Sequence, residues 1–217
     1  MISEELQQLL LNYCEPEDAL LQHIDRETNL KVLLPRMLSG HYQGRVLSMI
    51  SKMNNPKRIL EVGTFTGYAT LCLAEGLTAD GLIYTLDVNA ELEDMVRGNF
   101  AKSPLNDKIK YIIGDAQESL KSLTAETFDL VFIDADKKNN GTYYDLVFDQ
   151  VKPGGVIIVD NVLWSGKILN QAQDKDTKNI NSFNDYINAD QRVEKLILPV
   201  RDGLLVIRKK YVKSLLQ

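Results

Sequence analysis

The chain has 217 residues, of which 44% are hydrophobic and 25% are charged, and its formal net charge is −5. This composition is ordinary for a globular domain and excludes a collagen-like, coiled-coil or disordered chain as the main description. Because the charge is acidic, we expect no nucleic-acid partner. No apolar run approaches the roughly 18 residues of a membrane span, and the acidic N-terminus does not resemble a secretory signal. Cys14 and Cys72 cannot build a disulfide framework, so we expect two small buried apolar residues in a reducing cytoplasm.

The first 57 residues are predicted to be helical. Apolar residues recur at helical spacing in the first stretch, at Leu6, Leu9, Leu10 and Tyr13. A second helix is predicted to begin at Pro16, and a third to follow the sequence SGHYQG. We interpret residues 1–57 as a helical cap on a single domain, whose cofactor-binding sheet occupies residues 58–217.

From Arg58 onward, short apolar runs alternate with amphipathic stretches. The runs predict strands at 58–62, 82–88, 109–115, 128–136 and 154–161, with helices near 67–77, 90–101, 116–123 and 139–150. This alternation is typical of a mostly parallel sheet with helices on both faces. The last two runs, 193–200 and 203–210, are so close together that they predict an antiparallel strand. The polar segment 165–182 is predicted to be a long loop that leads into a helix beside the active site.

The ends of the first three predicted strands suggest a nucleoside site. Gly63 and Gly67 permit a tight turn after the first strand, and their G-x-x-x-G spacing differs from the G-x-G-x-x-G of dinucleotide enzymes. Asp87 ends the second strand, where it could accept hydrogen bonds from ribose hydroxyls. The third strand ends in Gly114-Asp115-Ala116, where small residues leave room for a flat adenine ring. Alternatively, the two glycines form an ordinary β–α turn, and Asp87 is a solvated carboxylate at the strand end.

The fourth and fifth predicted strands end in acidic residues. Asp134 and Asp136 end one strand and are followed by Lys137, and Asp160 and Asn161 end the next. Neighbouring parallel strands lie about 4.8 Å apart, so these side chains converge if the two strands are adjacent. Two carboxylates and an amide oxygen suit Mg²⁺, Ca²⁺ or Mn²⁺. Alternatively, the acidic groups are a hydrogen-bonded pair that caps the two strand ends and binds no metal ion.

Five motifs in this order resemble the cation-dependent class I O-methyltransferases, a family that includes caffeoyl-CoA and catechol O-methyltransferases. They are EVGTFTGY, the acidic strand end at Asp87, GDA, IDADK and DNVLWSG, and the resemblance extends over nearly the whole chain. It is strongest to the bacterial relatives of the caffeoyl-CoA group. It implies a Rossmann-like α/β fold with a seven-stranded, mostly parallel sheet, an antiparallel last strand and an N-terminal helical cap. The implied activity is methylation of a catechol or caffeoyl-type small molecule, by a homodimer that associates through its N-terminal helices.

The resemblance also implies roles for individual residues. The S-adenosylmethionine site would comprise Ser39, Glu61, Gly63, Thr64, Ala69, Asp87, Ala116, Asp136 and Tyr143. The ligands of a divalent cation, Mg²⁺ with Ca²⁺ or Mn²⁺ as alternatives, would be Asp134, Asp160 and Asn161. Asp134 and Lys137 would be catalytic, with Lys137 as general base. The substrate would contact Asp134 and Ser165, and Ser165 stands where the plant enzymes have an asparagine near the substrate.

Three other interpretations compete with this one. An NAD-dependent oxidoreductase is disfavoured by the glycine spacing and by the Asp160–Asn161 pair. A non-catalytic cofactor-binding scaffold is disfavoured because all the predicted catalytic and metal-binding residues are present. A receiver-like signalling domain also binds Mg²⁺ through strand-end acids, but the chain length, the glycine turn and the terminal hairpin count against it. The sequence does not identify the methyl acceptor.

Overall fold

The computed structural model describes residues 4–211. The helices in this part of the chain are α1 (Glu4–Asn12), α2 (Ala19–Lys31), α3 (Gly40–Asn54), α4 (Tyr68–Ala74), α5 (Glu93–Ala101), α6 (Ala116–Ser122), α7 (Asn140–Phe148) and α8 (Lys175–Ala189). The strands are β1 (Arg58–Val62), β2 (Leu82–Asp87), β3 (Ile109–Ile113), β4 (Phe128–Ile133), β5 (Val151–Val159), β6 (Val193–Leu198) and β7 (Leu204–Lys209). No helix within residues 4–211 is both long enough and apolar enough to cross a membrane.

The described strands form a seven-stranded sheet in the order β3-β2-β1-β4-β5-β7-β6. Strand β7 runs antiparallel to both β5 and β6, whereas the pairs β1–β2, β2–β3 and β4–β5 are parallel. The predicted Rossmann-like α/β fold with an antiparallel last strand is therefore confirmed.

The chain divides into two compact units, one that ends at Ser119 and one that begins at Leu120. In the N-terminal unit, β1 is almost completely buried and every residue of α4 is buried. In the C-terminal unit, β4 and β5 supply the buried apolar residues that the alternating pattern predicted. The predicted single domain with a cap at residues 1–57 stays a prediction.

The N-terminal helices differ from the predicted ones at their ends. Helix α2 begins after Asp18, whose carboxylate accepts a hydrogen bond from Leu21 N at 2.7 Å, rather than at Pro16. A side-chain oxygen that accepts from the first turn defines a helix start better than a proline does. Tyr13 lies beyond the end of α1 and is 83% exposed, so it does not belong to a buried helix face. Cys72 is buried as predicted, but Cys14 is only partly buried, and both thiols are free.

Two segments of the C-terminal unit also depart from prediction. Strand β5 starts at Val151 instead of residue 154, because Val151 pairs with Phe128 across a register irregularity. The predicted loop over 165–182 is half helical, since α8 begins at Lys175. Asp174 is its N-cap: its carboxylate accepts hydrogen bonds from the backbone N and the hydroxyl of Thr177 at 2.8 and 2.6 Å.

Candidate active site

The turn between β1 and α4 is built on left-handed backbone. Gly63 has a φ of 107° and Gly67 a φ of 86°, values that L-residues with side chains rarely adopt. A Cβ at Gly67 would also collide with the ring of Phe100. Phe65 has a φ of 49°, and its N–H donates to Asp87 Oδ2 at 2.7 Å. The turn is therefore fixed to the end of the neighbouring strand β2.

Asp87 lies at the carboxyl end of β2, as predicted. Besides the bond from Phe65, its Oδ1 accepts a hydrogen bond from Asn89 N at 2.8 Å. A carboxylate offers about four acceptor positions. Asp87 can therefore hold the turn and still accept hydrogen bonds from two ribose hydroxyls.

Glu61 is fully buried within the N-terminal unit. Its Oε2 accepts hydrogen bonds from the hydroxyls of Thr70 and Thr85, the second at 2.5 Å. The hydroxyl of Thr85 also lies 2.6 Å from that of Thr64, a predicted cofactor residue. This hydrogen-bond network connects β1, β2 and α4, and it makes the structure beneath the Gly63–Gly67 turn rigid.

The other predicted cofactor residues of this unit lie on separate elements. Ser39 is buried and directly precedes α3, and Ala69 is buried in the first turn of α4. Ala116 begins α6, just after Gly114 with its φ of 155°. Asp115 caps this helix, since its Oδ1 accepts from Gln117 N and Glu118 N.

Asp136 and Tyr143 belong to the C-terminal unit and contact each other. The Tyr143 hydroxyl donates to Asp136 Oδ1 at 2.6 Å, and Asn139 Nδ2 donates to Oδ2 at 2.7 Å. The Asp136 side chain is 42% exposed, whereas Tyr143 is buried. Tyr143 thus orients a carboxylate that still faces solvent.

The predicted metal ligands lie at the ends of two adjacent strands. Strands β4 and β5 pair in register at Ile133 and Val159, and Asp160 N donates to Ile133 O at 3.0 Å. Asp134 and Asp160 therefore occupy equivalent places just beyond the strands. Asp160 is 4% exposed, and its Oδ1 accepts from Asn161 N at 2.6 Å.

Lys137 forms an ion pair with Asp134, with Nζ and Oδ1 2.7 Å apart. Both side chains are largely shielded, at 15% and 18% exposure. Residues 4–211 contain no group of three or more His, Cys, Asp or Glu side chains that could hold a metal ion. The predicted donor set has two carboxylates, and its third member is the amide of Asn161.

Ser165 is exposed on a kinked 3₁₀ segment, Trp164–Leu169. Its φ of 53° is left-handed, and its N–H donates to the carboxylate of Asp202. The sequence did not single out Asp202, nor Asn184, whose Nδ2 donates to Val162 O at 2.9 Å. Both are distant in sequence from the motif they contact, so no local pattern could have identified them.

Comparison with known proteins agrees with this geometry. The O-methyltransferase family model matches residues 12–210. A caffeoyl-CoA O-methyltransferase of Arabidopsis thaliana is 33% identical over 196 residues, which are 85% of this chain and 76% of the plant protein. A catechol O-methyltransferase of Mycobacterium tuberculosis is 36% identical over 143 residues, which are 66% of this chain and 65% of that protein.

A crystal structure gives the same result. The O-methyltransferase of Bacillus cereus in complex with SAH, S-adenosylhomocysteine, superposes with a TM-score of 0.87 at 31% identity, covering 95% of this chain and 97% of the other. These matches favour a methyltransferase over an oxidoreductase or a receiver domain. The chain belongs to the O-methyltransferase family and is an S-adenosylmethionine-dependent O-methyltransferase of the caffeoyl-CoA and catechol O-methyltransferase type.

Proposed function

We propose that the methyl acceptor is an aromatic small molecule with two vicinal hydroxyls, of the catechol or caffeoyl type, and that turnover requires a divalent cation. The observation that carries the proposal is the placement of Asp134 and Asp160 at matching ends of the paired strands β4 and β5, with Asn161 next in the chain. The names of the plant and mycobacterial relatives supply the acceptor class.

The residues present fit a hard divalent cation. Carboxylate and amide oxygens are the ligands that Mg²⁺, Mn²⁺ and Ca²⁺ prefer. Asp160 is almost completely buried, and a cation beside it would offset the cost of burying its charge. Asp134 already has a cationic neighbour in Lys137, which shows that this carboxylate lies where a positive charge is accommodated.

Lys137 is proposed as the base that removes the acceptor's proton. When bound, a divalent cation lowers the pKa of a hydroxyl that it contacts and fixes the attacking oxygen. A charged ammonium can only donate hydrogen bonds, so Lys137 must be neutral to accept a proton. Lys137 Nζ lies 2.7 Å from Asp134 Oδ1, so this contact must break before Nζ can turn toward the acceptor's hydroxyl.

Methyl transfer from labelled S-adenosylmethionine to a panel of catechols, caffeoyl esters and monophenols tests the acceptor and the cation. We expect labelled product from the vicinal diols with Mg²⁺, and none with excess EDTA or from Asp160→Ala. S-adenosylhomocysteine binding should survive both treatments. Undiminished turnover in EDTA would contradict the cation requirement, and product from monophenols alone would contradict the acceptor class.

The role of Lys137 is tested separately by a matched pair of variants. We expect Lys137→Ala to lower kcat by about 10²- to 10⁴-fold, the usual contribution of a general base. Lys138→Ala removes a neighbouring lysine that is 69% exposed and should leave kcat unchanged. Equal rates for the two variants would rule out Lys137 as the base.

Two broader properties belong to the same proposal. The two free thiols suit a reducing compartment, and we propose a cytoplasmic enzyme.

We also propose a homodimer, because large apolar side chains are exposed on the N-terminal helices and the segment after α2. They include Leu9, Leu30, Leu33, Met37 and Met53.

A further inference from the structure

The loop that follows β5, residues 161–173, is held by residues outside it. At its start, Val162 is fully buried and both of its backbone groups are bound. Val162 N donates to Gly203 O at 3.2 Å, and Val162 O accepts from Asn184 Nδ2 of α8 at 2.9 Å. The residue after Asn161 is therefore held by hydrogen bonds from two elements, the turn between β6 and β7 and helix α8.

Asp202 adds two more anchors from the turn between β6 and β7. Its backbone O accepts from Leu163 N at 2.9 Å, and its carboxylate accepts from Ser165 N. A hydrogen bond to a charged group contributes more than one between neutral groups. The side chains of Asn184 and Asp202 thus hold the loop at two points, Val162 and Ser165.

The loop needs these anchors because its backbone is unfavourable. Asn161, Trp164 and Ser165 have φ values of 62°, 46° and 53°. Left-handed conformations of residues other than glycine persist only where the surrounding structure imposes them. Without the bonds from the Asn184 and Asp202 side chains, we expect the chain after Asp160 to relax and Asn161 to move away from the end of β5.

We propose that Asn184 and Asp202 are positioning residues for the cation site, which act by holding Asn161 and the start of the loop in place. The inference rests on the proposed cation requirement. Neither side chain is a ligand in this scheme. Their effect is on the cation affinity and not on the cofactor, since the predicted cofactor residues lie outside the loop 161–173, α8 and the turn between β6 and β7.

Mn²⁺ titration of the purified enzyme, followed by electron paramagnetic resonance, tests the proposal without turnover. Asn184→Leu keeps the size of the side chain and removes its N–H donor. We expect it to weaken Mn²⁺ binding by about tenfold, the lower end of the effect of losing a direct partner of a metal ligand, because Asn184 bonds the residue next to Asn161. S-adenosylhomocysteine affinity should stay at the wild-type level. Asn188→Leu changes an exposed asparagine on the same helix and should bind both ligands normally.

A second pair of variants separates positioning from charge and from folding. Asp202→Ala removes the acceptor for Ser165 N, and we expect it to weaken Mn²⁺ binding as Asn184→Leu does. Asp202→Asn keeps an oxygen at that place and should restore most of the Mn²⁺ affinity. This pair decides the question even if Asn184→Leu does not fold.

The possible failures are distinguishable. Wild-type Mn²⁺ affinity in both Asn184→Leu and Asp202→Ala would overturn the inference and leave the cation requirement intact. An equal loss of Mn²⁺ and S-adenosylhomocysteine binding would show general damage and would also overturn it. Failure of the unmodified enzyme to bind Mn²⁺ would overturn the cation requirement itself and this inference with it.

Discussion

Asp87 combines two tasks, since it fixes the Gly63–Gly67 turn and is proposed to bind the ribose. Asp87→Ala removes the acceptor for Phe65 N and Asn89 N together with the proposed ribose contact. A hydrogen bond to a charged group contributes about 1.5–3 kcal/mol, so we expect S-adenosylhomocysteine to bind about 10- to 100-fold more weakly. Isothermal titration calorimetry measures the change.

The control for Asp87 is Asp80→Ala. Asp80 precedes β2 and pairs with Lys57 at a carboxylate that is 66% exposed. The Asp80→Ala variant should bind S-adenosylhomocysteine as tightly as the wild type does. An unchanged dissociation constant for Asp87→Ala would exclude Asp87 from the cofactor site.

At the scale of single residues, the sequence predicts groups that lie within a motif and misses those that act across the chain. Asp87, Asp134 and Asp160 stand at the ends of apolar runs, so their place at strand ends could be predicted. Glu61 lies within the run of β1. The hydrogen bond between Ser165 and Asp202 joins residues 37 positions apart, and that between Asn184 and Val162 joins residues 22 positions apart. Such contacts depend on tertiary packing and leave no periodic signal.

Two glycines in different elements should respond in opposite ways to substitution by alanine. Gly98 lies within α5, where a Cβ would meet no atom within 4 Å. Gly98→Ala should raise the free energy of unfolding by about 0.5–1 kcal/mol, because alanine is the better helix former. Gly203 has a φ of 90°, and a Cβ there would collide with Leu163. Gly203→Ala should lower the free energy of unfolding by about 1–3 kcal/mol.

Urea denaturation of the two glycine variants checks both signs. A lower free energy of unfolding for Gly98→Ala would mean that α5 is not helical at this position in solution. A neutral Gly203→Ala would mean that the turn between β6 and β7 does not require left-handed backbone.

Helix α8 is connected to α7 by an acid-sensitive contact at Asp190. Hydrogen bonds from Arg192 hold the pKa of the Asp190 carboxyl at about 2, below its usual 3.8, and the Tyr144 hydroxyl donates to the same carboxylate at 2.9 Å. A lowered pKa stabilises the fold above the unfolded pKa, and this contribution is lost as the pH falls toward 2.

We therefore expect Asp190→Asn to lower the free energy of unfolding by about 1 kcal/mol at pH 7, a value discounted because Arg192 is 55% exposed. The difference from the wild type should shrink as the pH falls from about 4 to 2. Urea denaturation at several pH values measures it, with Asp185→Asn on the exposed face of α8 as control. A difference that does not change with pH would exclude the ionised carboxylate as the cause.

Elements were easier to predict than their boundaries. Apolar runs predicted the strands because burial on both faces requires such runs. The fourth strand is predicted to extend to residue 136, but β4 ends at Ile133, where its pairing with β5 ends and the acidic residues begin. Strand β5 begins three residues before the predicted strand, because Pro153 and Gly154 interrupt its apolar pattern after Val151.

For the whole molecule, the homodimer is the property most open to test. Leu33 is 92% exposed and Met37 is 54% exposed, both just after α2. Replacement of either by aspartate should convert the dimer to monomer in analytical ultracentrifugation, because a charge cannot be buried in an apolar interface without a partner. Leu169→Asp changes an equally exposed leucine in the C-terminal unit and should leave the dimer intact. A monomeric wild type at micromolar concentration would refute the proposal.

The anchored loop after β5 has a consequence for how acceptor preference can diverge. Its anchors lie at Val162, Leu163 and Ser165, and the next is Ile168, whose O accepts from Asn181 Nδ2 at 3.3 Å. Residues between and beyond them, such as Lys167 and Leu169, are exposed. The loop carries Ser165, a predicted substrate contact, and we expect substitutions at the exposed positions to change its surface without moving Asn161. Engineering of new acceptors should therefore begin at these exposed positions and leave Asn184 and Asp202 unchanged.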